Sequence, residues 1–189
     1  MRYPGSVPRD WDAHYADPAR LDFNPAPLLV EVAGLMPPGR ALDLASGPGR
    51  HALYLAALGW RVTAVDSSAV AMRLLRERAQ SLAVDAVVAD LERGEFPIPV
   101  SAYDLICDFF YLQRDLFPAI RAGVRPGGVF AGAIHLVDDA PGARPRNPAF
   151  LVQSGELRSE FEDWKILFYS ESPEPGHARR AARIIARKA

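Results

Sequence analysis

The hydrophobic positions of the chain switch repeatedly between strand and helix periods. "RALDL" (40–44) is a short apolar run preceded by Pro37, Pro38 and Gly39, which predicts a strand. "HALYLAAL" (51–58) consists of good helix formers and stops at Gly59, a glycine where helices commonly end. "RVTAVD" (61–66) predicts a second strand. Ser67 or Ser68 then caps a helix running to about Gln80, with Val70, Leu74 and Leu75 at helical spacing. "DAVVAD" (85–90) reads as a third strand and the apolar "YDLICDFF" (103–110) as a buried fourth. "RDLFPAIRAGV" (114–124) predicts a helix and "GGVFAGAIHLV" (127–137) a fifth strand.

Strands alternating with helices at this pitch imply a parallel sheet covered on both faces. The last quarter differs. "SGELRSEFEDW" (154–164) predicts a short helix, and "WKILFYSE" (164–171) and "RAARIIARKA" (180–189) predict strands joined by the turn-rich "SPEPGH". Two strands with no helix between them pair antiparallel. The expected class is therefore α/β: a Rossmann-like open sheet of mostly parallel strands, helices on both faces, and an antiparallel C-terminal strand. Arg183 and Arg187 alternate with Ile184 and Ala186, which suits an exposed edge strand blunted by charge. The expected organisation is one domain: an arm or lid (1–37), a ligand-binding core (38–137), and a substrate-side loop, helix and hairpin (138–189).

Composition narrows the partners. With 22 basic and 23 acidic residues the formal charge is -1, which disfavours nucleic acid or anionic lipid as a ligand. The basic tail carries no aromatic platform for RNA. Cys107 is the single cysteine, so no internal disulfide forms. "MRYPGSVPRDWD" lacks an apolar signal core, and no run approaches the ~18 apolar residues of a membrane span. These features read as a soluble cytoplasmic protein, monomer or homodimer. His51 and His177 show no metal-ligand spacing with Cys107, so no metal site is expected.

The candidate chemistry lies at the strand ends. "ALDLASGPGR" (41–50) contains G-x-G-x-x-A from Gly47 to Ala52, a pattern shared by several nucleotide loops. Asp43, Asp66, Asp90 and Asp108 each close a predicted strand, where open α/β sheets bind ligands. Each acid has two readings, as a helix or turn cap or as a ligand contact. Asp66 lies 19 residues after Gly47, near the ~20 expected for an acid on ribose hydroxyls. Asp90 can accept from the exocyclic amine of a base. A carboxylate at Asp43, beneath the glycine turn, repels pyrophosphate and attracts an ammonium or sulfonium group. Pro48 removes one loop donor, which matters little without a phosphate to hold.

These residues resemble the class I S-adenosylmethionine-dependent methyltransferases. The resemblance covers about residues 40–137, through "LDLASGPGR", "VTAVDSS", "VVADL" and "RPGGVF". Within the class, "GRHALYLAALGWRVTAVD" is most similar to the tellurite-resistance and related small-molecule methyltransferases, and "WDAHYADP" resembles their lead-in. Ala45 departs from the family's common D-x-G-x-G-x-G at its first glycine, which narrows the room beneath the methionine part.

The resemblance implies S-adenosyl-L-methionine as cofactor and in-line methyl transfer to a small-molecule, thiol or metalloid acceptor. It places Asp43, Ala45, Ser46, Gly47 and Gly49 at the methionine moiety. It puts Asp66 and Ser67 at the ribose, Asp90 and Leu91 at the adenine, and Asp108 and Phe109 at the reactive end. His135, Asp108 and Tyr111 are the candidate catalytic residues. Trp11, His14 and Tyr15 form a candidate lid, with Tyr15 on the cofactor. Phe110 reads as part core and part pocket wall, Arg114 as an anion contact or as a cap or surface pair, and the loop with Arg144 and Arg146 as one placed to close on substrate or as solvent-exposed charge. Two other readings remain at this level: a nicotinamide-dependent oxidoreductase, or a protein that binds S-adenosylmethionine without catalysis.

Overall fold

The computed structural model describes residues 10–137, 147–173 and 179–189. Residues 1–9, the loop carrying Arg144 and Arg146, and the turn carrying His177 lie outside the described residues. In chain order the elements are α1 (Trp11–Tyr15), α2 (Pro27–Ala33), β1 (Arg40–Leu44), α3 (Arg50–Ala57), β2 (Arg61–Asp66), α4 (Ala69–Ala79) and β3 (Val84–Val88). There follow β4 (Tyr103–Phe109), α5 (Phe117–Gly123), β5 (Val124–His135), α6 (Glu156–Ser159), β6 (Lys165–Ser170) and β7 (Ala181–Arg187).

The strands form one sheet in the order β3-β2-β1-β4-β5-β7-β6. β1 to β5 are parallel, whereas β7 runs antiparallel to both β5 and β6. Alternate residues of each strand feed two cores. One includes Ala41, Val62, Cys107 and Ile185 with Leu55, Trp60 and Leu75. The other includes Leu42, Val65, Ile106, Phe130 and Ile184 with Phe117 and Phe161. Residues buried on both faces explain why these strands read as unbroken apolar runs.

The structure corrects the expected edge. β7 is inserted between β5 and β6, and Ala181, Ala182, Ile184, Ile185 and Ala186 are all buried. β6 is the edge. Of the arginines of β7, Arg183 donates from Nη2 to the hydroxyls of Ser170 and Ser172 and lies over the Phe168 ring, while the Nε atoms of Arg183 and Arg187 are buried without a hydrogen-bond partner among the described residues.

Three boundaries also move. The third strand ends at Val88, and Asp90 instead caps a 3-10 turn at Leu91–Arg93 by accepting from Glu92 N–H. The expected 114–124 helix divides into a 3-10 turn (Arg114–Leu116) and α5, with proline in the first turn of α5. Its last expected residue, Val124, is the first of β5, which pairs with β4 through a register shift. The expected 154–164 helix is reduced to the four residues of α6. The N-terminal helices had readable signals: Asp10 accepts from Ala13 N–H at the start of α1, and Leu28, Leu29 and Val32 bury one face of α2.

Candidate active site

The strand order reverses between β1 and β4, and Leu44 of β1 pairs directly with Asp108 of β4. The crevice beyond these strand ends is where open α/β sheets hold ligands. The structure brings the glycine loop and the acids at the ends of β1, β2 and β4 to this crevice.

The loop after β1 makes its own hydrogen bonds. Ser46 N–H donates to the Val65 carbonyl, Gly47 N–H to Asp66 Oδ2, and Gly49 N–H to the Ser46 carbonyl. Pro48 has no N–H. A phosphate cradle requires free backbone donors, and at residues 46–49 they are all engaged or missing. Both glycines have positive φ. A Cβ on Gly47 would lie 2.8 Å from the Tyr15 hydroxyl, so α1 rests on the loop where the lid was expected. A Cβ on Gly49 would lie 2.2 Å from Leu75 Cδ1, so that glycine also answers to packing against α4. Ala45 has φ +49°, a left-handed conformation that explains why glycine is common there in the family it resembles.

The four acids combine both readings. Asp43 is 1% exposed. Its Oδ2 accepts from Ala52 N–H at 3.1 Å in the first turn of α3, while Oδ1 has no hydrogen-bond partner among the described residues. Asp66 accepts from Gly47 N–H and Ser68 N–H, both at 2.8 Å. Burial raises its pKa, against the lowering effect of those two bonds. Ser67 stays exposed beside it, and Ser68, not Ser67, caps α4. Asp90 is engaged in its turn and with Arg93 at 3.3 Å. Asp108 is 2% exposed, and its Oδ1 also has no hydrogen-bond partner among the described residues. Burial pushes its pKa well above the usual carboxylate range, a shift the Tyr111 backbone bond reduces and the charge of Asp43 increases. Among the described residues, no Lys or Arg forms an ion pair with Asp43, Asp66 or Asp108.

Around these acids stand aromatic rings. The His51 ring packs on Phe109 with centroids 4.3 Å apart, and Phe110 stacks on His135 at 4.6 Å. Phe110 holds φ +67°, an outlier for a bulky residue, while its N–H donates to the Ala133 carbonyl. Arg50 lies 6.0 Å from the Phe110 ring and pairs with Asp22 of the N-terminal segment at 3.0 Å. Tyr111 donates its phenol proton to Gln113 Oε1, and Gln113 Nε2 donates to the Leu91 carbonyl. This chain ties Tyr111 to the segment expected at the adenine, and burial raises its pKa so that the phenol stays protonated.

Of the readings of Arg114, the structure shows a pairing, with Glu156. Its guanidinium forms a bidentate pair with Glu156 and donates to the carbonyls of Ala149 and Leu151, leaving little for a ligand. Asp12 was missed by sequence reasoning. Its carboxylate accepts from the Ser68 hydroxyl and Val70 N–H, fastening α1 to the start of α4. Nothing in the local pattern signals a contact across 56 residues.

The strand order, a glycine loop whose amides at residues 46–49 are engaged or missing, and buried acids at the switch point define an open α/β protein with an acidic crevice at the carboxyl ends of its strands. A family model described as "Tellurite resistance protein TehB" matches residues 24–183, and the chain belongs to that family. Over 154 residues it is 28% identical to the probable S-adenosyl-L-methionine-dependent methyltransferase TehB of Haemophilus influenzae, covering 76% of this chain and 52% of that protein. It is 32% identical over 132 residues to the malonyl-[acyl-carrier protein] O-methyltransferase of Pseudescherichia vulneris, covering 67% of this chain and 49% of the relative. The crystal structure of TehB from Haemophilus influenzae matches with TM-score 0.73 at 25% identity, over 85% of this chain and 61% of that one. The chain spans about half the length of the curated relatives it matches. No described helix is long and apolar enough to cross a membrane.

Proposed function

We propose that this chain is an S-adenosylmethionine-dependent methyltransferase that passes a methyl group in line to a small-molecule acceptor of thiol or metalloid-oxyanion type. The observation that carries the reading is a buried carboxylate with no Lys or Arg paired to it: Asp43 Oδ1 stands at the switch point without a hydrogen-bond partner among the described residues, near the equally unpartnered Asp108 Oδ1. A ligand with an ammonium and a sulfonium answers that demand. A dinucleotide does not, because the loop amides at residues 46–49 are engaged or missing and Asp43 would repel its pyrophosphate.

The bound cofactor supplies the electrophilic methyl group, and the protein supplies alignment and exclusion of water. Asp43 takes the ammonium, and the Ala45–Gly49 backbone lines the methionine chain. Asp66 and Ser67 take the ribose, Asp90 and Leu91 the adenine, and Asp108 and Phe109 border the reacting end. Tyr15 and α1 close over the loop. Well-oriented approach alone lowers the barrier by roughly 7–11 kcal/mol.

The acceptor class follows from the candidate bases. Tyr111 is a committed donor with a raised pKa, and burial keeps the Asp108 carboxyl toward its protonated form. His135 stacks on Phe110 in the same crevice. With Tyr111 and Asp108 both holding their protons, the reading favours an acceptor that arrives as an anion and needs no base, such as a thiolate or chalcogen oxyanion. A methyl-release assay over thiol, amine and oxyanion acceptors tests this reading. Transfer to thiols or oxyanions is expected; transfer confined to amines, or none with cofactor bound, contradicts it.

A further inference from the structure

His51 is the second residue of α3 and is 3% exposed, yet sequence reasoning gave it no role. Its Nδ1 lies 3.8 Å from Asp43 Oδ1, too far for a hydrogen bond and close enough for strong charge coupling. Its Nε2 is buried without a hydrogen-bond partner among the described residues, as is that same Asp43 oxygen. Polar atoms left in this state are rare in native interiors, and an unpartnered carboxylate oxygen with an imidazole nitrogen 3.8 Å away points to an occupant that satisfies it. The ring cannot swing away easily, because Phe109 packs on it at 4.3 Å.

We propose that His51 is a positioning residue for Asp43, and that a proton on its imidazole and a ligand cation compete for the same carboxylate oxygen. The proposal rests on the reading of the crevice as a cofactor site. With a neutral imidazole, Asp43 presents its full charge to an ammonium group. With a protonated imidazole, the carboxylate is already neutralised and a second cation is repelled. By linkage, ligand binding at mildly acidic pH releases a proton.

The groups whose protonation the charge of Asp43 affects include acids and a thiol. Asp43 stands on β1, Asp66 on β2, and Cys107 and Asp108 on β4. The charge of Asp43 contributes to raising all three of the latter. Arg50, next to His51, is engaged with Asp22, and the buried face of α4 offers Ala71, Met72 and Leu75. His51 is therefore the titratable base beside Asp43 among the described residues.

Calorimetric titration with S-adenosylmethionine between pH 5.5 and 7.0 tests the proposal, since the ligand's own ammonium stays charged in this window. The wild-type dissociation constant is expected to rise about fivefold toward pH 5.5. Titrations in buffers of different ionisation enthalpy are expected to show proton release on binding. His51→Asn and His51→Gln are expected to flatten both effects. Parallel profiles in wild type and variants, or no proton release by the wild type, overturn the role of His51 and leave the cofactor site standing. Binding by the wild type without proton release overturns the role even if both variants fail to fold. Absence of binding by the wild type at every pH overturns the site reading and this role with it.

Discussion

Asp66 Oδ2 accepts the amide proton of Gly47 at 2.8 Å, so the acid closing β2 holds the loop that follows β1. Its other oxygen holds Ser68 N–H at the same distance. One carboxylate thus shapes the glycine loop and starts α4, besides any contact with a ligand. Asp66→Ala strands two buried amides, each costing about 1–3 kcal/mol. We expect a total loss of ~2–4 kcal/mol in chemical denaturation, with Asp66→Asn, which retains one acceptor, losing less. Equal stability of the alanine variant and wild type would show that the loop holds itself.

Ala45 is strained where the related pattern has glycine. A left-handed alanine costs roughly 1–2 kcal/mol, while glycine costs about 0.5–1 kcal/mol through the unfolded chain. Ala45→Gly is therefore expected to stabilise the protein by ~0.5 kcal/mol, a rise in melting temperature of about 1–2 °C for a chain of this size. A lower melting temperature would mean that the alanine methyl packs better than its backbone conformation implies.

Much of this arrangement was legible in the sequence. The apolar runs and glycine stops located β1, α3, β2 and α4 within a residue or two, because short-range chemistry decides them. The acids at the ends of β1, β2 and β4 were found for the same reason. What escaped was long-range. The placement of β7 inside the sheet depends on which partner covers which edge, and its arginines gave the opposite impression. Arg114 reads as free charge until Glu156, 42 residues away, is folded against it. Asp12 on Ser68 and Asp22 on Arg50 are contacts that no spacing encodes. His51 sits inside the glycine motif, and only the folded turn brings its ring to Asp43.

Asp108 gives the protein a pH signature. Burial holds its pKa in the folded state well above the unfolded value, which is about 3.9. The folded state then binds that proton more tightly than the unfolded chain. The corresponding stability is fully present below the unfolded pKa and is lost as pH rises through the folded one. Asp108→Asn cannot ionise and keeps an oxygen to accept the Tyr111 amide. Relative to wild type, we expect the variant to gain stability as pH rises from about 4 to 8. Thermal melts across that range check it, and a constant difference would mean that Asp108 ionises as freely folded as unfolded.

The central claim is that the buried Asp43 carboxylate at the switch point holds the cationic end of an adenosyl ligand. Calorimetry with S-adenosylmethionine and with NADH, on wild type and on Asp43→Asn, tests it most directly. We expect the wild type to bind S-adenosylmethionine and not NADH, and Asp43→Asn to bind about tenfold or more weakly, at least ~1.4 kcal/mol. Binding of NADH alone, or undiminished S-adenosylmethionine binding by Asp43→Asn, would contradict the account.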